Sequence, residues 1–164
     1  LGDYIPAKLK FDDGENVMFI CVTKDYSGSI AFFYENGKAL TVPLKAYETK
    51  TNRKKLANAY SADSKSVGIF FVPQNTGRSS SVDFLLKTSG SKAMIINSSL
   101  LTEKVTRSSS GVIVFTLKKG QILTDVSLFT DDGSEEMKEF SRYRKTKVPS
   151  TGTTITSGKQ LSLI

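Results

Sequence analysis

Between Asn36 and Tyr60 the chain carries Lys38, Lys45, Lys50, Arg53, Lys54 and Lys55 against one acid, Glu48. A second basic cluster, Arg142, Arg144, Lys145 and Lys147, stands in "SRYRKTKVPSTG", and Lys92, Lys104 and Arg107 fall between the two. Ammonium and guanidinium groups at this density do one kind of chemistry well: they hold phosphate or carboxylate oxygens through charge-assisted hydrogen bonds. Other chemistries are poorly supplied. With no histidine and the single cysteine Cys21, the usual Ser-His and Cys-His pairs are absent, and a metal site would need carboxylates. Asp12-Asp13-Gly14-Glu15 holds three carboxylates, but a four-residue acidic stretch of this kind reads as a turn. Ser141-Arg142-Tyr143 sets an arginine beside a tyrosine without a metal-binding acid cluster nearby, and reads as surface rather than as a nucleophile. Gly37-Lys38 and Gly158-Lys159 lack the upstream glycine spacing of a phosphate-binding loop.

The totals agree with the cations. The 164 residues hold 23 Lys+Arg and 16 Asp+Glu, a net charge of +7, which favours a polyanionic partner. The length suits one domain with its own core. No apolar run approaches the ~20 residues needed to cross a membrane as a helix. Cys21 lies in the apolar run Val17–Val22, so it is expected to pack as a small hydrophobe, and a reducing compartment fits. The start, Leu1-Gly2-Asp3-Tyr4, has neither an initiator Met nor a signal pattern, and reads as a cut inside a longer protein.

What positions the cations is a series of short apolar runs. They are Val17–Val22, Ile30–Tyr34, Ala39–Val42, Val67–Val72, Val82–Leu86, Ala93–Ile96, Val112–Leu117, Val126–Phe129 and Leu161–Ile164, rich in Val, Ile and Phe. Lengths and residue types predict strands. Several are apolar at odd and even positions alike, as in Val112-Ile113-Val114-Phe115, so both faces are covered and sheets must stack. Glu35-Asn36-Gly37-Lys38 and Thr88-Ser89-Gly90-Ser91 sit between paired runs and predict hairpins. Pro43–Tyr60 has some amphipathic spacing, but Thr49, Thr51 and Asn52 disfavour a continuous helix, leaving a single turn at Leu44–Tyr47. Acids concentrate from Asp125 to Glu136 (Asp125, Asp131, Asp132, Glu135, Glu136), and Thr130–Lys138 reads as a solvated loop with a helical turn. Ser/Thr/Gly-rich Thr76–Ser81 and Ser150–Gly158 read as connections.

The two hairpins form a repeat. Ile30-Ala31-Phe32-Phe33 aligns with Val82-Asp83-Phe84-Leu85, Gly37 with Gly90, Lys38-Ala39-Leu40 with Lys92-Ala93-Met94, and Arg53 with Arg107. A period near 50 residues fits four-stranded blades. The expected division is 1–29 as the end of a preceding blade, 30–81 and 82–130 as blades, and 131–164 as a loop and closing tail. Equivalent loops of successive blades would share a rim, so the loops of Lys54 and Arg107 would join into one curved basic edge. Duplex DNA, with one charge per ~1.7 Å of axis, could follow such an edge through its phosphates with little reading of bases.

"LGDYIPAKLKFDDGENVMFICVT" followed by "IAFFYENGKALTVPLKAYETKTNRKKLANAY" resembles the C-terminal domain of the A subunits of bacterial type IIA DNA topoisomerases, gyrase and topoisomerase IV. The order of weak features carries the resemblance: the strand Ile30–Tyr34, the turn Gly37-Lys38, Ala39–Pro43, then Arg53, Asn58 and the closing Val67–Val72. The second unit keeps Gly90, Lys92 and Arg107 but has Asn97 in place of Pro43, and "YRKTKVPSTGTTITSGKQLSLI" looks like the end of such a subunit. The resemblance implies an all-β, propeller-like β-pinwheel, here a partial or crescent-shaped one, that binds and bends DNA on its rim. It implies no catalytic residue and no cofactor in this segment: the cleaving tyrosine and its arginine lie in an upstream domain, and ATP and Mg are handled elsewhere in the parent enzyme. Gyrases carry a Gln-Arg-Arg-Gly-Gly-Arg-Gly box; "NTGRSSS" at Asn75–Ser81 does not match it, so the resemblance implies either a box before Leu1 or a chain nearer topoisomerase IV. The implied partners are double-stranded DNA, the rest of the A subunit and the B subunit, with no membrane and a cytoplasmic, chromosome-associated location. Lys38, Lys45, Lys50, Arg53, Lys54, Lys55, Lys92, Arg107, Arg142, Arg144 and Lys145 are the expected phosphate-binding residues. The alternative is a β module whose basic loops dock an acidic protein.

Overall fold

A computed structural model describes residues 2–51, 56–74, 81–131 and 133–156. Leu161–Ile164, expected as a strand, lies outside them. The chain opens with a short helix α1 (Ile5–Leu9), and strands β1 (Ser29–Tyr34), β2 (Lys38–Pro43) and β3 (Ser66–Val72) follow. Then come β4 (Asp83–Thr88), β5 (Lys92–Asn97), β6 (Val112–Ile113) and β7 (Leu123–Phe129), helix α2 (Glu135–Phe140), and the short strands β8 (Arg144–Lys145) and β9 (Thr153–Thr154). The first sheet has the order β3-β1-β2-β6 and the second β7-β4-β5-β8, with β9 also paired to β5.

The hairpins form where the local signals place them. In the first, Gly37 takes φ +77°, its N–H donates to Tyr34 O at 2.9 Å, and Asn36 Oδ1 accepts from Lys38 N at 3.1 Å. In the second, the left-handed residue is Ser91 (φ +53°) rather than Gly90. Gly90 is needed for room instead: a Cβ there would meet the side-chain amide of Gln121. The strand register corrects the sequence alignment accordingly. Ser29 pairs with Pro43 and Asp83 with Asn97, so the units repeat at 54 residues and Gly37 matches Ser91. The β-bulges also correspond, at Phe33/Tyr34 and Lys87/Thr88. After β2 the chain makes one 3-10 turn, Leu44–Tyr47, as expected; its counterpart after β5 is Ser98–Leu100.

Each sheet borrows its outer strand from the following unit. Beyond the second 3-10 turn the chain runs back along β2, first parallel, with Glu103 bridged to Thr41, then antiparallel as β6, with Val112 opposite Ala39. The last unit treats β5 in the same way: β8 runs parallel (Arg144 opposite Ile95), and β9 antiparallel (Thr153 opposite Ala93). Two glycines make this possible. Gly111 (φ +74°) and Gly152 (φ +67°) lie so close to the strand they join that a Cβ would come 2.9 Å from Ala39 O and Ala93 O respectively. After β6 the chain leaves the ladder, so Val112–Leu117 is not the full strand expected. Val114 and Phe115 both donate to Gly37 O, at 2.9 and 3.0 Å, and their side chains are buried between the sheets.

Both faces of each sheet are covered. Ala31 and Phe33 of β1 and Ala39 of β2 face Phe84, Leu86, Met94 and Ile96 of the second sheet. Phe33, Phe70 and Phe84 close this seam with ring centroids 4.9 to 6.0 Å apart. Ile30, Phe32, Tyr34, Leu40 and Val42 form the other face of the first sheet, against Phe19 and Tyr47. Leu85, Ala93 and Ile95 form the far face of the second, against Phe129, Tyr143 and Phe140. The segment expected to supply a strand at Val17–Val22 forms none: residues 15–23 have no regular structure, and Val17, Met18, Ile20 and Val22 are exposed. An apolar run makes a strand only when a ladder partner takes up its N–H and C=O groups, and no described strand flanks it. Cys21 is exposed with it, contrary to the packed role expected.

Glycines of one φ class separate strain from crowding. Gly14→Ala (φ +84°, open space) is expected to cost about 1 kcal/mol, and Gly111→Ala, which adds overlap with Ala39 O, about 3 kcal/mol, read as urea unfolding free energies.

Candidate nucleic-acid interface

The outer strands decide where the cations stand. Lys38 and Lys92 are equivalent first residues of β2 and β5, half-buried, opposite Ile113 and Thr154 on the borrowed strands. Arg142 and Lys145 meet around Thr153: Lys145 Nζ donates to Thr153 Oγ1 at 2.9 Å, and that hydroxyl donates to Arg142 O at 3.3 Å. Since Thr153 pairs with Ala93 and Thr154 with Lys92, the outer edge of the second sheet gathers Lys92, Arg142 and Lys145. Arg142 also lies over the Tyr143 ring at 4.7 Å and donates to its hydroxyl at 2.6 Å, with Tyr143 buried. That tyrosine is a packing residue with its polar tip satisfied.

Arg144, between Arg142 and Lys145 in order, points elsewhere. It pairs with Asp83, whose other oxygen accepts from Asn97 Nδ2 at 2.8 Å, and with Asp131 at 3.6 Å, and it covers the Phe129 ring at 5.5 Å. Two carboxylates therefore oppose its charge, and the pairing ties β8 to β4.

A second group surrounds the 3-10 turn Leu44–Tyr47. Lys45 is exposed and paired with Glu48, which holds its ammonium pKa above the ordinary value through hydrogen bonding and charge. Lys50 is exposed three residues beyond that turn. Arg107 reaches in from the next unit, donating to Ala46 O at 3.2 Å with its guanidinium 5.9 Å from the Tyr47 ring centre. Arg53, Lys54 and Lys55, and with them the expected junction of their loop with that of Arg107, lie outside the described residues; Tyr47 and Ala59, on either side of them in the sequence, are described. Tyr47 Oη donates to Ala59 O at 2.8 Å.

Sequence reasoning did not find the acids that engage these cations. Glu48 was visible as a neighbour, whereas Asp83 lies 61 residues from Arg144. No group of three or more metal-ligating side chains occurs among the described residues, and Asp12–Glu15 forms a turn closed by Glu15 N to Asp12 O at 3.1 Å. No described helix is long and apolar enough to cross a membrane. A cleft of about 520 Å³ lies between residues of the two units beside Lys45, lined among others by Tyr26, Ser29, Gln74, Ser99 and Glu103. With both Lys45 and Glu103 in its wall, it has no single-sign charge to select an anion.

The arrangement can present fixed cations along blade edges to an extended polyanion. It offers no convergent acid, base and nucleophile among the described residues.

Two stability effects separate a cation paired with a half-buried acid from one paired at the surface. Arg144→Ala is expected to cost about 1–2 kcal/mol, by leaving the half-buried Asp83 without its ionic partner, and Lys45→Ala to leave the unfolding midpoint unchanged, both by denaturant titration. Burial pushes the Tyr47 hydroxyl up from 10.0 to about 12. The unfolded chain loses this proton first, so the stabilisation is complete below pH 10 and gone by about pH 12; Tyr47→Phe should flatten that alkaline loss in pH-dependent unfolding.

Comparison with known proteins places this fold. No family model and no curated protein matches the chain. Among solved structures, the crystal structure of the C-terminal domain of DNA topoisomerase IV is similar over 79% of this chain and 39% of its own, with a TM-score of 0.60 and 20% identity. The DNA gyrase A C-terminal domain is similar over 91% of this chain and 51% of its own, with a TM-score of 0.60 and 16% identity. The chain thus spans about half or less of the structures it matches. The two sheets with exchanged outer strands are blades of a β-pinwheel.

Proposed function

We propose that this chain is a duplex-DNA-binding and DNA-bending accessory module of the A subunit of an ATP-dependent type II DNA topoisomerase. The fold shared with C-terminal domains of topoisomerase IV and gyrase A carries the reading. The net charge of +7 and the cations along the outer blade edges support it. The module grips phosphates through Lys38, Lys92, Arg142 and Lys145 on the blade edges and through Lys45 and Lys50 around the first 3-10 turn, with Arg53, Lys54 and Lys55, which follow in the sequence, adding to the same positive charge. Arg144 contributes less, because Asp83 and Asp131 already oppose its charge. Base edges are left unread, so affinity varies little with sequence. Strand cleavage and ATP hydrolysis belong to other segments and to the B subunit, and this module presents the duplex for passage. The lack of a gyrase-type box supports a topoisomerase IV-like parent.

The test is anisotropy of a labelled duplex over a salt series. Affinity should fall steeply with salt, and the double reversal Lys92→Glu/Lys145→Glu should lower the salt slope by roughly one unit for each phosphate released. An affinity unchanged from low to moderate salt would rule the reading out. No duplex binding at low salt would favour an acidic protein partner instead.

A further inference from the structure

Arg107 joins two repeat units through one side chain. It sits in a turn closed by Ser109 N to Thr106 O at 3.1 Å. That turn is held on both sides against β2, by Glu103 opposite Thr41 and Val112 opposite Ala39. The second unit therefore fixes where the guanidinium stands, while the groups it touches, Ala46 O and the Tyr47 ring, belong to the first. Tyr47 in turn spans its own loop. Its ring ends the 3-10 turn, and its hydroxyl donates to Ala59 O, twelve residues on, where Tyr60 then stacks on Phe32 at 6.3 Å. Lys45 and Glu48 pair on the outgoing side of the loop.

We propose that Arg107 is a positioning residue: by holding Ala46 and Tyr47 it fixes the backbone at Glu48 and Ala59, and through Glu48 the exposed Lys50 two residues on. A guanidinium suits this and an ammonium does not. Its plane can lie against a ring while its edge donates to a carbonyl, whereas lysine offers a compact, strongly hydrated charge. The consequence is a coupling between blades. Docking of the second unit's outer strand on β2 brings Arg107 to the first unit's 3-10 turn, so one blade sets where its neighbour's Lys45 and Lys50 stand. The effect on DNA rests on the function proposed above; the effect on the loop does not.

Limited trypsin digestion of the whole chain, read by mass spectrometry, tests the loop directly. Cleavage after Lys50 is the signal, and cleavage after Lys118 and Lys119, in a separate turn, is the internal control. Tyr47→Phe, Arg107→Ala and Arg107→Lys should each accelerate cleavage after Lys50 about fivefold, the effect of removing one hydrogen bond, and leave the control sites unchanged. Unchanged cleavage after Lys50 in all three, or equal acceleration at control sites, would overturn the proposal. Duplex anisotropy supplies the second readout. Tyr47→Phe, which removes no charge, should weaken binding, and Arg107→Lys should weaken it as much as Arg107→Ala. If Arg107→Lys keeps the parent affinity and salt slope while Arg107→Ala lowers the slope by one unit, Arg107 binds phosphate directly and the proposal fails. If the parent chain binds no duplex at all, the proposed function fails and the cleavage pattern alone decides the clamp.

Discussion

The structure depends on one backbone constraint: the outer edge of each sheet must be closed by chain from the next unit. β2 and β5 are central in sequence but would be open edges without it. Gly111 and Gly152 allow the incoming backbone to approach Ala39 and Ala93 where no Cβ fits, in a left-handed conformation that other residues adopt only at a cost. Gly37 O then accepts from both Val114 and Phe115, which sends those side chains between the sheets. Edge protection, sheet-to-sheet packing and blade order follow from the same crossing. Because the donor and the acceptor belong to different units, neither sheet is complete alone.

The repeat also explains why the two outer faces of the paired sheets are covered differently. Ile30, Phe32, Leu40 and Val42 stand at the same register positions as Phe84, Leu86, Met94 and Ile96, 54 residues on. In the second sheet that face packs on the first; in the first sheet it is covered by the irregular N-terminal segment, which leaves Met18, Ile20 and Val22 exposed. The other end is closed more fully, by Phe140 and Tyr143 over Phe129 and Ile95. Similar apolar faces thus meet different covers, and the cover without ladder hydrogen bonds shields less of its own apolar surface.

The same crossing sorts the cations. Lysines at the start of β2 and β5 stand opposite the borrowed strands, half-buried, at equivalent positions of the two sheets. Arg144 lies on a borrowed strand and is drawn to Asp83, tying the loan to the sheet that receives it. Arg107 is carried across the unit boundary to Tyr47. Charge density in the sequence is therefore divided into cations that hold blades together and cations that face solvent.

Much was legible in the residues themselves. Short Val/Ile/Phe runs and the Asn-Gly turn act over a few positions, so β1, β2, β3 and β5 and both hairpins could be read directly, as could the 3-10 turn at Leu44–Tyr47. The period was legible as well, with a slip of two residues at β4 and of one at the turn, where Gly90 imitated Gly37 while Gln121, distant in sequence, was the reason for it. Val17–Val22 has strand composition without a partner, and composition cannot supply one. The amino-acid sequence by itself determined the strand-forming segments, the repeat and the excess of positive charge, since each arises from neighbours a few residues apart or from simple sums. Only the tertiary structure decided which sheet each outer strand joins and whether a cation meets an acid, a ring or solvent. Those outcomes turn on groups such as Asp83 and Arg144, 61 residues apart, whose meeting exists only once the backbone has crossed.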